Sequence, residues 1–206
     1  MINQILKKFL KLLPFILMPV ATWYFLSRMA PAFDDTPSQS VEDSTPSIDS
    51  PMACTPVANY HDYVLPQGLK GYFDLEEAVA CAKAQGKPLL VSFMGHGCIN
   101  CKKMEEIWNE HSTRERLQDN FVLVTLMVDD GTELEAPYTS EFNGQDITTI
   151  GQHNLALQEK LTRTNEQPYF LILDHQGKDL IQPIGYTPEV STFNQFLDKG
   201  KRAFAY

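Results

Sequence analysis

Residues 88–110 read Pro88-Leu89-Leu90-Val91-Ser92-Phe93-Met94-Gly95-His96-Gly97-Cys98-Ile99-Asn100-Cys101-Lys102-Lys103-Met104-Glu105-Glu106-Ile107-Trp108-Asn109-Glu110. Pro88 to Phe93 is a short, nearly continuous apolar run, as a central strand requires. Lys102 to Glu110 has helical spacing, with Cys101, Met104 and Trp108 on the stripe that faces a core. The two thiols therefore lie where a strand gives way to a helix. A helix N-terminus offers free backbone N–H groups and about half a positive charge. Both favour a thiolate over a thiol, and the thiolate is the nucleophile. Cys98, at the helix start, is the expected attacking sulfur. Cys101, one turn in, is the expected resolving sulfur.

Outward from this stretch, capping and turn signals set the neighbouring elements. Asp74 opens a helix, with Glu77 three residues on as a capping box, and Gly86 ends it. Leu75, Ala78, Val79 and Ala82 form its apolar face. Ser112 and Glu115 predict a second capping box, for a short helix ending near Asp119. Phe121 to Val128 is β-like and apolar on both faces, which predicts a central strand. Residues 129–150 read as a hairpin insertion around Asn143-Gly144. A helix runs from Gln152 to Leu161, then strands at Tyr169–Leu173 and Leu180–Ile184 flank the turn His175-Gln176-Gly177. A last helix runs from near Pro188 to near Lys201. This order predicts an α/β fold: a mixed central sheet with helices on both faces. In a strand–helix–strand setting a CxxC reads as redox rather than metal chemistry.

The N-terminal part has a different character. Lys7, Lys8 and Lys11 precede an apolar run, Leu12 to Leu26, that Pro14 and Pro19 interrupt. A spanning helix wants about 20 apolar residues and a signal-peptide core about 7–15. Ala30-Pro31-Ala32 resembles a cleavage site. Arg28 beside it disfavours cleavage, while Trp23 and Tyr24 suit a membrane interface. An uncleaved anchor over residues 1–32, meeting the membrane through residues 5–28, is the favoured reading. Cleavage would instead release the chain. Either way the basic flank sends the C-terminal remainder of the chain across the membrane. Residues 33–58, rich in Asp, Ser, Thr and Pro, predict a disordered linker, and the folded domain is expected over 59–206.

The chain has 206 residues and a formal net charge of −9, which disfavours nucleic acid as a partner. Its 43% hydrophobic and 11% aromatic content supports a real core. Four cysteines are too few for a disulfide-stapled scaffold. Cys81, in a helical pattern, reads as small packing. A Cys54–Cys81 bond can form outside the cytoplasm, but nothing in the spacing argues for it.

With these residues in view, the sequence resembles a thioredoxin-fold protein, and more closely the C-terminal domain of DsbD-type thiol:disulfide interchange proteins. The resemblance spans roughly residues 68–203. It is carried by Gly71-Tyr72-Phe73-Asp74, Lys87-Pro88, the run from Phe93 to Glu105, Thr149-Ile150-Gly151 and Asn165-Glu166-Gln167-Pro168-Tyr169. It implies a redox-active disulfide between Cys98 and Cys101 and no cofactor. It implies a cis proline at Pro168, with Gln167 before it offering its backbone to substrate. It implies a catalytic role for Glu105, whose place on the cysteine stripe lets it relay a proton to the resolving thiol. The expected partners are disulfide-containing protein substrates and a membrane or periplasmic electron-donor protein. The expected place is the inner membrane, single-pass, with the C-terminal domain in the periplasm.

Two features depart from that pattern. Ser92 stands where most of these domains carry a buried acid. The multi-helix membrane domain of DsbD proteins has no counterpart, since this chain offers at most one membrane helix. His96, two residues before Cys98, would lower the thiol pKa when protonated, or is simply an exposed loop residue. Ile107 and Trp108 read as core, and Lys102 and Lys103 as a solvated face. The alternative function is a thiolate carrier of copper or zinc, using Cys98, Cys101 and His96. It lacks the second CxxC or close His pair that a closed zinc site wants.

Overall fold

The computed structural model describes residues 54–205. The expected anchor and most of the expected linker lie outside the described residues. The elements are β1 (Asn59–Tyr60), β2 (Tyr63–Val64), α1 (Leu75–Gln85), β3 (Leu89–Met94), α2 (Ile99–Asn109) and α3 (His111–Asn120). They continue as β4 (Val122–Met127), β5 (Glu133–Thr139), β6 (Asp146–Thr149), α4 (Ile150–Thr162), β7 (Tyr169–Leu173) and α5 (Val190–Phe204).

The central sheet has the order β4-β3-β7. β3 is parallel to β4, with Leu89 opposite Val122 and Met94 opposite Met127. It is antiparallel to β7, with Leu89 opposite Leu173 and Phe93 opposite Tyr169. The sheet is mixed and β3 holds its centre, both as expected, whereas β4, also expected to be central, lies at the end of the three-strand order. β4 is buried on both faces by the two cores, and a short chain segment covers its outer edge: Tyr72 bridges Val124, and Val57 bridges Gly71. Leu180–Ile184 does not form the expected strand. Isolated bridges join Phe170 to Ile184 and Leu173 to Asp179. The return side carries extra residues between those bridges and includes Pro183, which has no N–H to give a ladder.

Side chains alternate across β3. Leu90 and Met94 join a core with Cys101, Met104, Trp108, Leu117, Phe170 and Phe193, between the sheet and α2, α3 and α5. Leu89, Val91 and Phe93 join the opposite core with Ala78, Cys81, Ala82 and Leu171. Helices cover both faces. Asp74 caps α1 by accepting the Glu77 N–H at 2.8 Å, and Gly86 closes it with a left-handed φ of 63°. The expected Ser112 cap is not made. α2 runs straight into α3 through Glu110, which takes both terminal positions, so Ser112 falls inside the helix. The hairpin at Asn143-Gly144 is present as β5–β6. α4 starts at Ile150, two residues earlier than expected, on a full Thr149–Gln152 capping box.

The folded unit begins before residue 59. Val57 exchanges two backbone hydrogen bonds of 2.9 Å with Gly71, and Cys54 is joined to Cys81 by a disulfide. Residues 54–58 are thus tied to the domain by a covalent bond and a backbone pair that composition does not encode.

Candidate active site

The end of β3, the turn Gly95–Gly97 and the first turn of α2 build the site. Cys98 is the N-cap of α2, and its sulfur accepts the Cys101 N–H at 3.1 Å. This is one of the orphan donors every helix start must satisfy, and an N–H aimed at sulfur favours its anionic form. Cys98 and Cys101 are disulfide-bonded, with Cα atoms 5.2 Å apart. Cys101 is 1% exposed, whereas Cys98 is partly exposed and Ile99 beside it is 73% exposed. Cys98 packs at the margin of the core that encloses Cys101.

Ser92 is buried, on the face of β3 that carries Leu90 and Met94. Its hydroxyl lies 2.9 Å from the Val124 carbonyl and 3.2 Å from Thr125 Oγ1. The position is thus filled by a neutral, satisfied group. Glu105 is half-buried on α2. Beside its carboxylate lies Tyr63 of β2. Burial first, and then Glu105, hold the Tyr63 phenol far above its ordinary range. The Tyr63 hydroxyl itself closes no aligned hydrogen bond.

The Gln167–Pro168 peptide is cis. With Tyr169 opposite Phe93, Pro168 falls beside the end of β3 from which the cysteine turn departs. The Gln167 side chain is tied back to α4, its Nε2 donating to Gln158 Oε1 at 2.9 Å. Gln158 in turn donates to the Glu166 carbonyl at 2.7 Å. These bonds fix the approach to Pro168 from behind.

His96 is not a free loop residue. Its Nδ1 lies 2.8 Å from Asp129 Oδ1 and its Nε2 lies 2.9 Å from Asp62 Oδ1. Asp129 also accepts the backbone N–H of His96 at 3.0 Å and of Gly97 at 3.2 Å. Partial burial alone would lower the His96 pKa. The two carboxylates outweigh it and hold the imidazole above its ordinary value. Burial likewise pushes Asp129 up, but the bonds it accepts from His96 and Gly97 bring its carboxyl below the usual range. Sequence reasoning missed Asp62, Tyr63, Asp129 and Gln158. Asp129 carried a signal: it follows β4, and parallel neighbours deliver the loops after their C-terminal ends to one place. Asp62 carried none, because it arrives from a distant hairpin.

Lys102 and Lys103 are exposed, with Lys103 Nζ 5.7 Å from the Tyr186 ring centroid. Among the described residues no three His, Cys, Asp or Glu side chains converge to hold a metal.

The model of the thioredoxin-like domain family matches residues 75–201. Among solved structures, a thioredoxin from Thermus thermophilus is similar at 20% identity, over 63% of this chain and 85% of that one, with a TM-score of 0.46. A DsbH oxidoreductase is similar at 19% identity, over 63% and 83%, with a TM-score of 0.46. The oxidised DsbD C-terminal domain of Neisseria meningitidis is similar at 13% identity, over 63% and 98%, with a TM-score of 0.44. No curated protein matches the sequence.

Proposed function

The chain belongs to the thioredoxin-like domain family, and from that premise we propose that it is a membrane-tethered, extracytoplasmic thiol–disulfide oxidoreductase that works as a reductase. The observation that carries this reading is the asymmetry of the cysteine pair: Cys98 partly exposed at a helix N-cap, Cys101 buried one turn in. In the reduced protein the Cys98 thiolate attacks one sulfur of a substrate disulfide. A mixed disulfide forms and one substrate thiolate leaves. Cys101, as thiolate, then attacks Cys98 Sγ, and the second substrate thiolate leaves. Two electrons have passed to the substrate, and the Cys98–Cys101 disulfide remains. A dithiol electron donor in the membrane or periplasm reduces that disulfide by the same exchange in reverse. Glu105 relays the proton that Cys101 must lose. The backbone at Gln167, ahead of cis Pro168, aligns the substrate strand.

Placement outside the cytoplasm rests on the basic residues before Leu12–Leu26. A Cys54–Cys81 disulfide away from the reactive pair accords with an oxidising compartment. Among the described residues no helix is long and apolar enough to cross a membrane, and the apolar run lies outside them.

Cells carrying Cys101→Ser should accumulate mixed disulfides through Cys98, because the resolving thiol is gone. Cys98→Ser should accumulate far fewer. Equal trapping by the two variants would show the roles to be wrong. In intact spheroplasts of cells carrying the unsubstituted chain, a membrane-impermeant thiol reagent should label Cys98 after reduction. Labelling only after lysis would overturn the placement.

A further inference from the structure

The turn that delivers Cys98 is held by groups from two other parts of the chain. Asp129 reaches it from the end of β4 and takes both the His96 and Gly97 backbone N–H groups. Gly95 lets the two sides close: a Cβ there would lie 3.2 Å from Asp129 Oδ2 and 3.6 Å from Cys98 Cβ. The Asp129 carboxylate and the Cys98 side chain therefore flank the same small residue. Asp62 reaches His96 from the tip between β1 and β2.

The His96 ring has a carboxylate at each nitrogen, 2.8 Å on one side and 2.9 Å on the other. A carboxylate can only accept. A proton on each nitrogen answers both carboxylates, and only the imidazolium carries two. The Asp129 contact is an aligned hydrogen bond. The Asp62 contact is an ion pair whose angle falls short of one.

We infer that His96, clamped as a cation between Asp129 and Asp62, is a positioning residue that sets the reactivity of Cys98 and makes it depend on the N-terminal hairpin. The cation sits two residues before the nucleophile and neutralises an acid, Asp129, that would otherwise oppose a thiolate there. The charged and titratable groups facing His96 are Asp129 after β4, Asp62 from the hairpin and, edge-on at 6.3 Å between ring centroids, Tyr63 of β2. The acid that α2 presents nearby, Glu105, lies against Tyr63 rather than against the imidazole. His61 lies with His96, Asp62 and Asp129 around one surface cavity, and pairs at 3.3 Å with Asp130 rather than with Asp129. The chemical role given to Cys98 rests on the proposed oxidoreductase function.

The test is the pH dependence of Cys98 alkylation by iodoacetamide in the reduced full-length chain, located by mass spectrometry. This rate follows the thiolate fraction. His96→Gln should raise the Cys98 pKa by about one unit, lowering alkylation about tenfold at pH values below the parent's pKa. His96→Lys, which restores a cation, should stay within about threefold of the parent. Two variants that both match the parent would overturn the inference. Two that fall equally would assign His96 to packing instead of charge, and would overturn it too. Asp62→Asn should lower the His96 midpoint followed by NMR, and an unchanged midpoint would remove the hairpin from the device. Disulfide exchange by the parent chain is read separately, with insulin as substrate. A parent inert in exchange would end the proposed function, while the alkylation profiles would still decide the role of His96.

Discussion

Ser92 shows how one residue can reset the interior of such a site. It is 1% exposed, and its hydroxyl is satisfied by Val124 and Thr125. An acid placed there would lose hydration and gain neighbours that cannot fully replace it, so its folded-state pKa would rise above the ordinary value of about 3.9. The unfolded chain would then ionise first as pH rises. The folded state would bind more protons, and stability would fall with pH from about 4 upward. Ser92→Asp should therefore show a pH-dependent loss. If the folded pKa rises by about two units, the variant is about 2–3 kcal/mol worse relative to the parent at pH 7 than at pH 3.5. Urea unfolding at both pH values measures this. A loss equal at both would show that volume, rather than charge, is what position 92 refuses. The cysteines, Glu105 and Pro168 could be picked out from local spacing and resemblance. Asp129 could have been, from the parallel pairing of β3 and β4. Asp62 and Tyr63 could not, since no local rule links a hairpin at residues 59–64 to a turn at residues 95–97.

The elements follow the same division. α1 and the β5–β6 hairpin were legible because their signals are local: Asp74 and Gly86 for one, Asn143-Gly144 for the other. Ser112 misled because the same pattern serves a cap or a helix interior. The choice fell to Glu110, where two helices abut, and the Ser112 hydroxyl instead accepts from Asn194 Nδ2 of α5 at 3.0 Å. Leu180–Ile184 misled because its composition suits a strand while Pro183 breaks the ladder. α4 depends on a close approach that only a residue without a side chain allows. A Cβ on Gly151 would lie 2.6 Å from the Asp130 nitrogen, 2.7 Å from its carbonyl oxygen and 2.9 Å from the Val128 oxygen. Those backbone atoms cannot swing away, and they flank Asp129. Gly151→Ala should cost about 1–3 kcal/mol, as other overpacked sites do. The displaced turn should also loosen the Asp129–His96 contact. Urea unfolding reads the first effect and the His96 NMR signal the second. An unchanged stability would mean that the start of α4 can shift freely.

At the scale of the whole molecule, two disulfides divide the labour. Cys98–Cys101 lies at a partly exposed helix start, and Cys54–Cys81 fastens the entry of the chain to α1. The second pair was legible only as a possibility, because Cys54 sits in a polar stretch with no periodicity to orient it, and Cys81 is fully buried like any small core residue. Its sequence separation is 27, and the enclosed loop contains the β1–β2 hairpin that brings Asp62 and Tyr63 to the site. Closing a loop of that length removes freedom from the unfolded chain worth about 3–4 kcal/mol in the chain-entropy account. The combined Cys54→Ser and Cys81→Ala variant should accordingly lose about 2–4 kcal/mol in urea unfolding. Cys98 should remain alkylatable, because the strand, turn and helix that present this sulfur lie outside the loop, with its rate reduced only as far as the weakened His96 clamp allows. It should also show a lowered His96 midpoint, because the hairpin is no longer stapled and Asp62 dwells less beside the ring. Unchanged stability would make the bond incidental to folding. A loss of Cys98 reactivity greater than that of His96→Gln would mean that the staple holds the whole active-site layer rather than the hairpin alone.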